Sequence, residues 1–510
     1  MKILLMSMPD ATHPLFPRFC RPPNLGLASL AGNLREEADV TVADLILRRN
    51  NVPRAVREAL GAVQPDLVGL SAMTFQYYTS KRVAELIRHE APEVPIIFGG
   101  YHASMSYKEI ALHEGHLFDF ICRNEGEHTF LELIGELKKG KKEFSHVAGL
   151  SWRKGDDYIH NKPRTVAPLE QIALPDRNSR LWGGYHIHGM PFDFAETSRG
   201  CSLPCSFCSI TQMYGRKFRS FAMERILNDL QTAYSQGTKE IFFVDDNITL
   251  QPGHMEALCQ NIVSRGLHQG MGYSTQASVA GLHRNLSQIE NMAEAGFDLV
   301  FLGIENVSKR NLRTYKKGDI VAQTKEVIRE LQRNNIMVMG GFVLGAPDDN
   351  EQDILEQFAF MKDQAIDSYL VQILTPYPSI PMTSDLEQGG YIVNKDLRRY
   401  SGLFANVCTN HLSSRQLDYL RWKHFPYYRS LGWFKRALAP KNHPWGIFKE
   451  SMVRLGEWLL EEGRILFKSE EHAFRKYMES NLKDNLFFGE KPVITWPDVE
   501  ELDSPTQDSR

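Results

Sequence analysis

Short apolar runs recur along the first 140 residues, each followed by a stretch whose apolar positions return every three or four residues. Lys2 to Met8 reads as a strand, and Asn24 to Glu37 as a helix. Val40 to Leu45 is a second strand, Val52 to Val63 a helix, Asp66 to Met73 a third strand and Thr79 to Glu90 a helix. Val94 to Gly99 and Phe118 to Arg123 complete the strand set. This alternation predicts a parallel sheet covered on both faces, with ligands bound beyond the carboxyl ends of its strands. Ser71-Ala72-Met73-Thr74 and Gly99-Gly100-Tyr101-His102 fall at those ends.

Residues 141–192 read as a connector, with a hairpin around Lys154-Gly155-Asp156 and a break at Leu174-Pro175-Asp176. From 193 to 385 strands and helices alternate again with a longer period. The strands are Asp193 to Ser198, Glu240 to Asp245, Gly272 to Ala277, Leu299 to Ile304, Ile336 to Leu344 and Tyr369 to Leu374. Six such units predict a partial barrel with its chemistry at the strands' carboxyl ends, where Cys201, Asp245, Gln276, Glu305 and Gly345 lie. Residues 386–510 lose the strand pattern and read as a helical, aromatic-rich C-terminal region. The last thirteen, from Asp498, are polar.

At 510 residues, two or three domains are expected. The net charge of −3 lacks the basic excess of a nucleic-acid binder. The apolar start at Met1 stops at Pro9-Asp10, too early for a signal peptide, and no run approaches the roughly 20 apolar residues that span a bilayer. A cytoplasmic protein without a transmembrane segment is the expectation. There, seven cysteines suggest metal binding rather than a disulfide scaffold.

Three of the seven, Cys201, Cys205 and Cys208, share one short loop after a strand, with Gly200 and Pro204 suited to a tight wrap. Thiolates are the standard ligands of iron–sulfur clusters, and three of them leave the fourth iron of a cubane open to chelate a substrate. A zinc site would need a fourth ligand, for which only His186 and His188 are near in sequence. Cys20, Cys122, Cys259 and Cys408 are isolated and read as buried free cysteines.

The C-x3-C-x-F-C spacing, preceded by Ser198-Arg199-Gly200, resembles the signature of the radical SAM superfamily. The resemblance covers about 193–385. It implies a [4Fe-4S] cluster on the three cysteines as metal ligands, with S-adenosyl-L-methionine (SAM) cleaved to a 5′-deoxyadenosyl radical. By the same resemblance Phe207 is the aromatic residue beside the third cysteine. Asp245, Asp246 and Asn247 match the segment that receives the SAM amino group, and Glu305 of Gly303-Ile304-Glu305 the acid that contacts the ribose. Gly340 to Pro347, including Leu344, matches the strand lining the adenine, and Gln276 is a further SAM-positioning candidate.

The N-terminal block resembles the cobalamin-binding domain of class B radical SAM enzymes through Pro22 to Leu27, Val68 to Ser71, Phe98 to His102 and Asn124 to Glu127. The implied cobalamin contacts are Ser71, Met73, Thr74, Gly99, Gly100, Tyr101, His102, Glu125 and Gly126. Paired glycines allow close approach of a large planar ligand. The D-x-H-x-x-G string whose histidine ligates cobalt does not occur. The expected fold class is α/β: an N-terminal Rossmann-like doubly wound parallel sheet (1–140), the connector, a partial (β/α)6 TIM-type barrel (193–385) and the helical C-terminal block (386–510).

These resemblances imply a cobalamin-dependent methyltransferase acting on an unactivated carbon, with polycyclic lipids such as hopanoids favoured as substrates. No side chain is assigned as a catalytic base, because the cofactors carry the difficult chemistry. The alternatives are a relative of the anaerobic porphyrin cyclases, without methyl transfer, and a non-catalytic cobalamin sensor. A methylthiotransferase would need a second cysteine trio, which Cys20 and Cys122 do not supply. Expected partners are a small-molecule or lipid substrate and a reductant such as flavodoxin or ferredoxin, with no nucleic acid. The aromatic and cationic run Arg421 to Arg429 with Trp433 to Arg436 reads either as a helical cap on the barrel or as a face for peripheral membrane contact.

Overall fold

The computed structural model of the protein describes residues 1–11, 19–425, 469–481 and 486–488. The strands are numbered here in chain order. Seven of them form the first sheet: β1 (Lys2–Ser7), β3 (Asp39–Asp44), β4 (Leu67–Ser71), β5 (Ile96–Gly99), β6 (Phe120–Cys122), β7 (Leu150–Lys154) and β8 (Asp157–His160). Five residues of β1 are buried in a row, as a strand covered on both faces requires. The sheet order is β3-β1-β4-β5-β6-β7-β8, parallel up to β6 and antiparallel through β7 and β8. Taken alone, the parallel strands run 2-1-3-4-5, so the winding reverses between β1 and β4. That reversal opens a crevice at the strands' carboxyl ends.

The hairpin expected in the connector is present, but it belongs to the first sheet. β7 pairs with β6, and Trp152 lies buried against Phe144 and Phe120 rather than in a linker. Caps set the helix starts: the Asn24 side chain accepts from the Leu27 N–H at 2.9 Å before the helix Leu25–Leu34. Asn51 accepts from Arg54 before Val52–Val63, which carries proline in its first turn.

The second sheet holds six parallel strands in sequence order: β10 (Met190–Ala195), β13 (Glu240–Phe243), β14 (Gly272–Ser278), β15 (Phe297–Glu305), β16 (Met337–Leu344) and β17 (Ser368–Ile373). These are the six strands read from the sequence. Two short strands without a signal in the pattern, β9 (His186–Ile187) and β2 (Cys20–Arg21), extend the β10 edge antiparallel. The chain's early segment is therefore stitched onto the barrel's first edge. One apolar core lies between the barrel strands and their outer helices, with Ile226, Leu258, Met292 and Val327 among its fully buried members, and two more flank the first sheet.

Most of the C-terminal aromatic and cationic run, from residue 426, lies outside the described residues. The described part packs as a cap. Arg421 is buried and donates to the Val371 carbonyl of β17 at 2.8 Å, and Trp422 is buried with Leu403, Phe404 and Phe474. Among the described residues no helix is long and apolar enough to cross a membrane.

Candidate active site

β10 ends at Ala195 and leads through the two-residue strand β11 (Ser198–Arg199) into the cysteine loop. β11 pairs with β12 (Arg219–Ser220), closing that loop at its base. Gly200 opens the loop with φ +85°, and a Cβ there would lie 2.1 Å from the Lys217 carbonyl oxygen, so the turn admits no side chain. Its N–H donates to Asp246 Oδ2 at 2.8 Å. Farther along, Ser206 N donates to the Tyr315 carbonyl at 3.1 Å, and Phe207 packs edge-on to the Tyr315 ring at 5.2 Å. The loop is thus fastened to the ends of two other barrel segments.

All three thiols are half-buried. Burial pushes them up, Cys208 to about 12, and neighbouring cysteines add to that effect at Cys205 and Cys208. Three thiols this close resist joint ionisation unless a cation compensates them. Among the described residues no group of His, Cys, Asp and Glu converges on one point as a single bound ion would demand. A cubane imposes no such demand, because each sulfur binds a different iron. The donor set and its spacing fit a cluster, and a zinc ion would need a fourth ligand.

The acidic candidates divide into different roles. Asp245 is buried and turned inward, accepting from Thr197 N at 3.0 Å, Thr197 Oγ1 at 2.5 Å and Ser198 Oγ. It fixes the approach to the cysteine loop rather than facing open space. Burial raises it to about 6, against the lowering effect of those donors. Asp246 lines the large cavity described below, and burial raises it to about 6 too. Asn247 is buried and accepts from Thr249 Oγ1 at 2.9 Å and Ser278 N at 3.3 Å. Gln276 is half-buried, its amide 3.5 Å from the Asp245 carbonyl. Leu344 is fully buried.

Glu305 ends β15 in the left-handed region at φ +65° and accepts from Lys317 Nζ at 2.8 Å. Burial works against the Lys317 ammonium, but Glu305 and the thiols of Cys205 and Cys208 outweigh it and hold it charged. Lys317 therefore stands between the carboxylate and the cysteine loop. In the sequence it sits inconspicuously in Lys316-Lys317-Gly318.

At the crevice of the first sheet lies a cavity of ≈ 380 Å³ shared by both sheets. Its mouth is lined by Ser71, Met73, Gly99, Gly100, Tyr101, Glu125 and Gly126 from the first sheet and by Glu196, Arg199, Tyr214 and Asp246 from the barrel side. An apolar arm runs inward past Leu5, Gly69, Ile97 and Cys122. Leu5, Gly69 and Ile97 are register partners across β1, β4 and β5, and the Leu5 side chain takes the space beside Gly69, where a Cβ would lie 2.5 Å from Leu5 Cδ2. Gly100 has φ +93°, and a Cβ there would come within 2.8 Å of the Ala72 carbonyl. A glycine-walled mouth with hydroxyls and an apolar arm fits a large planar cofactor with a tail. No histidine lines it, in keeping with the absent D-x-H-x-x-G string.

Two expected contacts lie elsewhere. Thr74 is buried in the turn Thr74–Gln76, and His102 is buried against the Tyr77 ring at 4.2 Å; neither lines this cavity. Successive helical residues point about 100° apart, so Tyr101 and His102 face different spaces.

A clasp that sequence reading missed joins the two sheets. Buried Arg199 pairs with Glu196 and Glu127, each at 2.8 Å, and with Glu125 at 3.2 Å, while Arg219 binds Glu125 at 2.7 Å. Glu127 also accepts from Ser29 at 2.9 Å. Burial alone would raise Glu127, but Arg199 holds it at about 2. Asn124 (φ +61°) adds bonds to the Gln212 and Met213 carbonyls at 3.1 and 2.9 Å.

Comparison with known proteins places two families on these two sheets. The Radical SAM superfamily matches residues 195–361, and the B12 binding domain residues 21–134. An uncharacterized methyltransferase, PH0819, of Pyrococcus horikoshii is 28% identical over 82% of this chain and 90% of its own length. The anaerobic magnesium-protoporphyrin IX monomethyl ester cyclase of Cereibacter sphaeroides is 24% identical over 64% of this chain and 54% of its own. The hopanoid C-3 methylase of Methylococcus capsulatus is 26% identical over 71% and 68%. In fold, the chain resembles the radical SAM methyltransferase TsrM of Kitasatospora setae, solved with cobalamin and a [4Fe-4S] cluster. The TM-score is 0.65 at 17% identity, covering 77% of this chain and 79% of that one.

Proposed function

The chain is a radical SAM enzyme that carries a B12-binding domain ahead of its barrel, and from that premise we propose that it transfers a methyl group to an unactivated carbon of a small molecule. Its cofactors are a [4Fe-4S] cluster, SAM and cobalamin. Bound together, they supply the electron that splits SAM, the radical that removes a substrate hydrogen and the carrier for the methyl group. The observation that carries the reading is the shared cavity: residues of the B12-binding domain and residues flanking the cysteine loop line one space.

The protein's own groups bind, orient and exclude water. Cys201, Cys205 and Cys208 hold the cluster. Lys317 and Glu305, paired at the loop's edge, present a cation and a carboxylate to the charged and hydroxylated ends of SAM. Asp245 and Asn247 keep their strand-end loop in register through bonds to Thr197, Ser198 and Ser278. Gly69, Gly99 and Gly100 keep side chains off the cobalamin wall. Arg199 holds the two walls together.

The test uses SAM with a deuterated methyl group under anaerobic, reducing conditions, with a small-molecule and lipid extract as substrate pool. A product carrying the labelled methyl group is expected, and a hopanoid-like polycycle would narrow its class. A product that changes mass without the label would instead favour a cyclase-like reaction, as the Cereibacter relative's name suggests.

A further inference from the structure

A second cavity, of ≈ 470 Å³, opens between the helices Tyr77–Glu90 and Tyr101–Glu114 and the segment 376–400 that follows the barrel. We propose that it is a binding site for an apolar alcohol, whose hydroxyl meets Tyr77 and His102 at the floor.

Two observations point to a ligand there. The Tyr77 hydroxyl and His102 Nδ1 are both buried and have no hydrogen-bond partner, and both residues line the cavity. Buried polar atoms in native proteins are nearly always paired, so two orphans on residues that border one space call for a partner that side-chain rotation would bring within reach. The apolar part of the lining is Ile110, Pro376, Pro378, Ile392 and Leu397, beside polar and charged residues.

The chemistry of the floor selects the head group. Burial and the nearby Lys81 push the His102 imidazole down to about 3, so it is neutral and can accept at one ring nitrogen. The phenol of Tyr77 donates. A hydroxyl both donates and accepts, and one such oxygen satisfies both orphans. A carboxylate satisfies only donors, and of the acidic lining residues Glu114 pairs with Lys81 at 2.7 Å and Glu387 with Lys395 at 3.0 Å, which leaves Glu109 to repel it.

The walls of this cavity are continuous along the chain with segments at both cofactor sites. On one wall Thr383 lines it, while the adjacent Met382 N–H donates to the Ser206 carbonyl in the cysteine loop at 3.3 Å. On the other, His102 follows Tyr101, which lines the first cavity. A substrate anchored here by its hydroxyl end would extend its apolar body between the two. That role as substrate site rests on the methyl-transfer reading; the site itself does not.

The test is calorimetric titration of the full chain, purified anaerobically with cluster and cobalamin, using 1-adamantanol and adamantane-1-carboxylate as matched probes. The alcohol should bind saturably at one site, with affinity at least roughly tenfold above that of the carboxylate. Filling the cavity from either wall, with Ile110→Trp or Leu397→Trp, should weaken it by a similar factor, and His102→Phe should weaken it by removing the acceptor. Retained cluster and cobalamin absorption shows that a variant has folded. No saturable binding, equal affinity for the carboxylate, or unchanged affinity in a folded tryptophan variant would each overturn the site. SAM cleavage measured on the same samples separates the two ideas: intact cleavage without alcohol binding removes the site and leaves the enzyme reading standing. Alcohol binding without cleavage does the reverse.

Discussion

Replacing Arg199 by methionine removes the cation bonded to a buried group of three carboxylates, Glu125, Glu127 and Glu196, and leaves Arg219 on Glu125 with Arg225 nearby. Glu127 alone gives a scale. Its ordinary value of 4.5 is held at about 2, a difference worth about 3 kcal/mol at 1.36 kcal/mol per unit. Breaking a buried pair by removing one partner costs about 3–5 kcal/mol in general, so the two scales agree. The pH dependence follows from the sign. Glu127's depressed value stabilises the fold above pH 4.5, and that contribution is lost as pH falls toward 2. In the variant burial is opposed mainly by the Ser29 and backbone hydrogen bonds, so the carboxyl rises from about 2 and the support its ionisation gives the fold at neutral pH falls away. The gap between wild type and variant should therefore be largest near pH 7 and shrink toward pH 5. The assay is urea unfolding of the cofactor-free chain at both pH values, with Glu127→Gln and the double variant completing a cycle. Arg199→Met costing less than about 1 kcal/mol, or Glu127→Gln relieving none of its cost, would refute the clasp.

Three further outcomes follow. Alanine at Cys201, Cys205 or Cys208 should abolish iron–sulfur absorption and SAM cleavage while leaving cobalamin retention intact, read by visible spectra of the purified variants. Gly69→Leu should do the opposite, because a Cβ there would already lie 2.5 Å from Leu5 Cδ2 and the new side chain would push Leu5 into the cavity it lines; cobalamin should be lost and the cluster kept. At the amino end of the barrel, burial raises the Glu240 carboxyl to about 8 from 4.5. Between those values the unfolded chain has already lost the proton that the folded one keeps, so stability falls as pH rises through that window. Glu240→Gln should raise the melting temperature relative to wild type, by more at pH 8 than at pH 5.

What was legible in the sequence was whatever acts locally. The alternation of apolar runs located the six barrel strands because each is buried along its own length, and the cysteine loop declared itself by spacing. Gly100 was readable as a close-approach residue because only glycine suits its φ and the 2.8 Å approach to Ala72. What escaped depends on contacts distant in sequence. Arg199 meets Glu127 across 72 positions, and neither residue carries a mark of burial. Lys317 looks like any surface lysine until β15 brings Glu305 to it. Strand ends favour ligand contacts, but the turn after β4 and the helix after Gly100 carry Thr74 and His102 away from the cavity's lining. The hairpin of β7 and β8 was found as a hairpin, while its partner strand, β6, could not be read from its own residues.

The most direct test of the two-cofactor enzyme is anaerobic purification with cobalamin supplied, followed by a visible spectrum and then addition of reductant and SAM. The expected result is iron–sulfur absorption together with bound cobalamin, and release of 5′-deoxyadenosine that disappears in the Cys208→Ala variant. Deoxyadenosine release from a chain that binds no cobalamin would contradict the shared cavity's assigned role, and the absence of both signals would contradict the enzyme itself.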